Sequence, residues 1–89
     1  MNILQLTSGP ALNGAVRHCY DLTHELAARG HRVFLGHRPE SWIAGQPLPD
    51  GVERIDVTFK RRRAELRRVA ALLKERRIDV IHTHNSSAH

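Results

Sequence analysis

Hydrophobic and polar positions along this chain change period several times, and each change predicts an element. Ile3, Leu4, Leu6 and Thr7 form a short apolar run that reads as a buried strand. Ser8, Gly9, Pro10, Asn13 and Gly14 break that run. From Val16 the spacing is helical: Val16, Cys19, Tyr20, Thr23, Leu26 and Ala27 recur at i, i+3, i+4, i+7, i+10 and i+11, with Leu22 widening the stripe. Asn13 is placed as the N-cap, Arg29 falls in the last turn, and Gly30 is placed to stop the helix in the left-handed conformation. Val33, Phe34 and Leu35 then form a second buried strand, so the first 36 residues predict a βαβ unit with a parallel strand pair.

Positions 36 to 51 carry Gly36, Pro39, Gly45, Pro47, Pro49, Asp50 and Gly51 and read as loop, with one helical turn at Glu40 to Ala44. Val52, Ile55 and Val57 give a third strand, and Glu53 and Asp56 suggest that it lies at an edge. Its direction is open, because no full helix precedes it. Leu66, Val69, Ala70 and Leu73 at i, i+3, i+4 and i+7 predict a second amphipathic helix over Arg62 to Arg77, with the arginines largely outward. Asp79 to His84 read as a fourth strand and Asn85 to His89 as the start of another loop. The expected fold is α/β: a mostly parallel half-sheet of four strands and two main helices, with one face poorly covered.

Composition narrows the function classes. At 89 residues the chain is at most one small domain. Its four aromatics, Phe34, Phe59, Tyr20 and Trp42, leave an aliphatic interior of the α/β kind. The single cysteine, Cys19, excludes an internal disulfide and reads as a small apolar helix residue. No apolar run is long enough to span a bilayer, and no cationic segment precedes the first apolar run as in a secretory signal. The expected location is the cytoplasm. The net charge of +5 is concentrated: positions 60 to 77 hold nine Lys/Arg against two Glu, a balance of +7 that leaves the rest at −2. Lys60, Arg61, Arg62, Arg63 and Arg67 are therefore a candidate basic surface for phosphates or acidic lipid headgroups. Nucleic acid is not expected, since only Phe59 is interleaved with this charge.

Two stretches carry candidate chemistry. Residues 8 to 14 join a strand to a helix start, where unpaired amides and the helix dipole favour an anion. The Gly9 to Gly14 spacing matches neither the dinucleotide fingerprint nor the P-loop, so an ordinary βα turn fits as well. The second stretch is His82-Thr83-His84, whose histidines share one side of a strand. A metal pair would need a third ligand that is not evident; hydrogen bonding to sugar hydroxyls or phosphate suits neutral imidazoles. His18, His24, His31, His37 and His89 read as solvated surface residues. Both stretches should lie beyond the carboxyl ends of parallel strands, the usual ligand position in open sheets.

Asn2-Ile-Leu-Gln-Leu, Asn13-Gly14-Ala15 opening a helix, Leu26-Ala-Ala-Arg-Gly-His-Arg-Val33 and Asp79-Val-Ile-His-Thr-His84 occur in the order and spacing of a known pattern. Together they resemble the N-terminal domain of GT-B glycosyltransferases of family 4, over essentially the whole chain. The resemblance implies a Rossmann-like, acceptor-side lobe that closes over a nucleotide-sugar held mainly by a C-terminal lobe. It implies hexosyl transfer, with retention favoured, to a glycan or lipid-linked acceptor, and no metal cofactor. The family's glycine pair near the donor phosphates falls on Asn13 and Gly14, of which only Gly14 matches. The family's sugar-contacting histidine falls on His84, with His82, Asn85 and Ser86 beside it as further donor or acceptor contacts. The donor lobe with its paired glutamates is not among these 89 residues. The resemblance therefore implies a truncated domain, inactive alone; peripheral contact at the inner membrane face through the basic helix is compatible with it, since many acceptors of such enzymes are lipid-linked. The alternative is a small basic anion- or membrane-binding module without catalysis.

Overall fold

The computed structural model describes residues 1–60 and 62–84. Its elements run β1 (Asn2–Thr7), α1 (Gly14–Ala28), β2 (Arg32–His37), a 3-10 turn (Trp42–Gly45), β3 (Glu53–Asp56), α2 (Arg63–Glu75) and β4 (Val80–His84). The four strands form one sheet in the order β3-β2-β1-β4, every pair parallel. The fold is thus the expected Rossmann-like α/β half-sheet. The third strand's direction, open from the sequence, is parallel to β2. A long loop takes the helix's place in that crossover: Ile43, Trp42, Leu48 and Val52 pack with Val16, Cys19 and Leu35. Those residues cover the sheet beside α1.

The helices lie on opposite faces. Alternation along β1 turns Ile3, Gln5 and Thr7 one way and Leu4 and Leu6 the other. Leu4 joins Phe34, Ile55 and Val57 in a cluster covered by Val69, Leu72, Leu73 and Ile78 of α2 and its exit. Val16 and Cys19 of α1 join Leu35 and Ile43 in the opposite cluster. The α2 stripe is rotated from its expected position: Leu66 is 56% exposed and Ala70 is exposed, while Leu72 makes contact instead. No residue of α2 is fully buried.

Caps explain the boundaries. Asn13 Oδ1 accepts from Val16 N at 2.9 Å, satisfying one of the orphan amides at the start of α1. Gly30, at φ 89°, ends the helix in the left-handed region, where a side chain would be strained. The start of α2 is stabilised from within: Glu65 reaches back to accept from Thr58 N and Oγ1, both at 2.8 Å, and from Phe59 N at 3.1 Å. That carboxylate offsets the cations which crowd this helix end. Both β3 and β4 are edges, as Glu53 and Asp56 suggested for the former. On β4, Val80 and Ile81 point to opposite faces and are 39% and 49% exposed, so what is thinly covered is this edge strand on both faces and not one whole face of the sheet.

One histidine departs from the surface reading and two partly do so. His37 is 2% exposed, because β2 is an interior strand. Its Nδ1 pairs with Arg38 O at 2.9 Å and its Nε2 lies 3.0 Å from Arg54 Nη1. Arg54 also donates to Ile43 O at 3.0 Å and to Gln46 O, tying β3 to the 3-10 turn. His24 is half-buried edge-on against Tyr20, with ring centroids 4.6 Å apart, and His31 is half-buried at the entry to β2.

Candidate functional site

The strand order creates the site. Chain order runs outward from β1 through β2 to β3, then α2 carries the chain back past them to β4 on the far side of β1. The connections leaving β1 and β3 therefore diverge to opposite faces, and the carboxyl ends of β1 and β4 form the switch point, where open parallel sheets have their ligand crevice. Thr7 and His84 are register partners there. The 8–13 loop leaves β1 at this edge, and α1 begins immediately after it.

One wall of the crevice is the start of α1. Asn13 has extended backbone at φ −152°, ψ −177°, a conformation any residue adopts. Its side chain serves as the cap of α1. Gly14 is the first helical residue, and a Cβ built on it would meet nothing within 4 Å. Among the described residues no packing requirement demands glycine there. Gly9 differs: its Cβ would lie 2.5 Å from Val16 Cγ2, so glycine at that position serves the close approach of loop and helix.

The other wall is the end of β4. His82 and His84 sit on the same face, as expected, with ring centroids 4.2 Å apart. They are not equivalent, since His84 is 6% exposed and His82 is exposed. Burial pushes the His84 imidazole down to about 4, with neighbouring His82 and His18 adding to the effect, so the ring is neutral near pH 7. His18 of α1 approaches to 5.5 Å between centroids. Reading His18 as an isolated surface residue missed this, although its place one turn into α1 after the loop is a signal. Beneath the rings lie Gln5 and Thr7 of β1, 0% and 1% exposed. His84 Nε2 is 3.2 Å from Gln5 Oε1. Gln5 Nε2 and Thr7 Oγ1 have no hydrogen-bond partner among the described residues.

The structure thus brings Gly14, Asn13, His82 and His84 to one edge. Asn85, Ser86 and Arg61 lie outside the described residues. Lys60, Arg62, Arg63 and Arg67 are exposed around the start of α2, which in a parallel sheet lies at this same carboxyl edge but on the opposite face. Among the described residues no group of three His, Cys, Asp or Glu side chains is placed to hold a metal ion. Cys19 is fully buried, and burial pushes its thiol up to about 12 against the opposing hydrogen bond with Thr23, so it is inert. None of the described helices is long and apolar enough to cross a membrane.

A family model described as Glycosyltransferase Family 4 matches residues 12–89. A search of curated proteins finds no match. The matched span begins one residue before the cap of α1 and takes in every element from α1 to β4, both walls of the crevice included. With its doubly wound parallel sheet and this match, the chain belongs to glycosyltransferase family 4.

Proposed function

We propose that this chain is the acceptor-side lobe of an enzyme that transfers a hexosyl unit from a nucleotide-sugar to a glycan or lipid-linked acceptor. The observation that carries the reading is the juxtaposition, at the switch point, of an unobstructed helix start at Gly14 and a buried neutral imidazole at His84. A helix start supplies amides and partial positive charge for a diphosphate. A neutral imidazole accepts and donates one hydrogen bond each, which suits sugar hydroxyls and adds no charge beside the phosphates. In this reading the chain orients the donor sugar, while a second lobe closes on the same edge, holds the nucleotide and excludes water. This lobe alone is then inactive. No residue here is assigned to a metal.

The test is an NMR titration of the 89-residue chain with UDP-, GDP- and ADP-sugars. Shifts confined to Gly14, Ala15, His82 and His84, lost in His84→Ala, are expected. Shifts centred on the β3 edge, or none at millimolar ligand, would overturn it.

A second reading has its own observation: Lys60, Arg62, Arg63 and Arg67 stand exposed beside exposed Leu66. Exposed cations flanking an apolar side chain suit an anionic lipid surface, where each contributes about 1 kcal/mol. The reading complements the first, because it would bring the crevice edge toward a lipid-linked acceptor. Sedimentation with phosphatidylglycerol vesicles at low and high salt tests it. Binding insensitive to Arg62→Glu plus Arg63→Glu would exclude it.

A further inference from the structure

We propose that Gln5 is a positioning residue for His84, its buried side-chain carbonyl holding the imidazole as the Nε2–H tautomer so that Nδ1 is the acceptor offered to the sugar. The inference rests on the reading of His84 as the sugar contact and adds the residue that sets its hydrogen-bonding polarity.

Gln5 stands where a parallel sheet calls for an aliphatic side chain. It is in the middle of β1, flanked by β2 and β4, and 0% exposed. Most neighbouring inward positions follow the rule: Ile3 precedes it on this face of β1, and Val33 and Leu35 occupy the same face of β2, while Thr7, the next residue on this face, is a smaller buried polar side chain at the strand end. Burying an amide here is unfavourable unless its polar atoms are matched. Only one of the two is matched among the described residues: Oε1 lies 3.2 Å from His84 Nε2, while Nε2 has no partner. The matched atom is the one turned toward His84. An amide serving the fold alone would be better replaced by leucine.

The tautomer follows from the donor inventory. A carbonyl oxygen only accepts, so the His84 nitrogen facing it carries the proton. The neutral ring has one N–H, so Nδ1 is left with its lone pair. The flanking groups do not compete for that role. His82 of β4 and His18 of α1 meet His84 as tilted rings at 4.2 and 5.5 Å between centroids, and β1 contributes only uncharged Gln5 and Thr7. From above, Val16, Cys19 and Thr23 of α1 are each 0% exposed and close the layer, with Thr23 Oγ1 donating to Cys19 O at 2.8 Å. The Gln5–His84 pair is therefore the one described polar link between the switch-point strands through side chains on this face.

The experiment is a long-range proton–nitrogen correlation spectrum of the full 89-residue chain with nitrogen-15 histidine, at pH 7.5 and without ligand. His84 is expected as Nε2–H. Gln5→Leu, similar in volume but without an acceptor, should lower the Nε2–H to Nδ1–H ratio about fivefold, as the loss of one net hydrogen bond implies. Gln5→Glu keeps the acceptor and adds charge, so it should retain Nε2–H and raise the pH at which the ring takes up its second proton. Thr7→Val should leave the ratio unchanged. Wild-type His84 found as Nδ1–H, or a Gln5→Leu ratio equal to wild type, would overturn the proposal. If Gln5→Leu does not fold, a Gln5→Glu ring that protonates at the wild-type pH overturns it instead. No sugar is used, so a failure here leaves the sugar-contact reading standing. A correct tautomer in a chain whose His84 signals ignore nucleotide-sugars would refute that reading and spare this one.

Discussion

Replacing Gly14 with alanine separates what the fold needs from what a ligand needs. The added Cβ meets no heavy atom within 4 Å, and Gly14 begins α1 without left-handed backbone. Steric cost in the free chain is therefore nil. Alanine also narrows the unfolded ensemble, an effect worth about 0.4–1 kcal/mol at compatible sites. Taking about 0.5 kcal/mol at this first helical position, the melting temperature should rise by about 2–4 °C for a domain of this size. Binding should move the other way. A methyl group over the first amides of α1 keeps a phosphate from one charge-assisted hydrogen bond, a loss of about 1.5–3 kcal/mol or roughly tenfold or more in Kd. Circular dichroism melting and NMR titration with a nucleotide-sugar measure the two quantities on the same sample. Gly9→Ala is the counter-case: its Cβ would sit 2.5 Å from Val16 Cγ2, so it should destabilise by about 1–3 kcal/mol. A Gly14→Ala chain that binds as tightly as wild type would refute the backbone-contact reasoning. One that melts lower would refute the geometry of the helix start itself.

Further outcomes follow from the same packing. The His84 imidazole is pushed down to about 4 in the fold and returns to its ordinary value when unfolded, so the unfolded chain binds the proton more readily. Its contribution is present above about pH 6.5 and is lost as pH falls toward 4; allowing for solvent screening at an edge strand, about 1–2 kcal/mol is at stake. The urea midpoint measured from pH 7.5 to 5 should fall less in His84→Gln than in wild type. Arg54→Met strips the donor from Ile43 O, Gln46 O and His37 Nε2 and should cost about 2–4 kcal/mol in urea unfolding. Thr58 N, the first of its hydrogen-bond partners, holds the Glu65 carboxyl below the usual range. Glu65→Ala should speed hydrogen exchange at the Thr58 and Phe59 amides while β1 amides keep their protection.

Local chemistry was legible in the sequence wherever cause and effect lie within a few residues. Alternating and helical periods marked both helices and all four strands, Asn13 and Gly30 marked the ends of α1, and the order of these elements carried the family resemblance. Each of those signals is written within a single turn or strand. What depends on neighbours across the sheet was not legible. The direction of β3 was open because a loop, not a helix, covers its crossover. The histidines at 18 and 37 both read as surface residues in the sequence, yet one is exposed beside the buried His84 ring and the other is locked between Arg38 and Arg54.

The sequence by itself determined the elements, the caps of the first helix, the basic second helix and the family. Only the tertiary structure decided that Gln5 faces His84, because the pair is separated by 79 positions and meets solely through the parallel register of β1 with β4. The same register, with helices on opposite faces, sets the helix start at Gly14 and the imidazole of His84 at one crevice. No local period encodes that contact: it follows from which strands pair, and pairing is settled by burying both faces of the sheet at once.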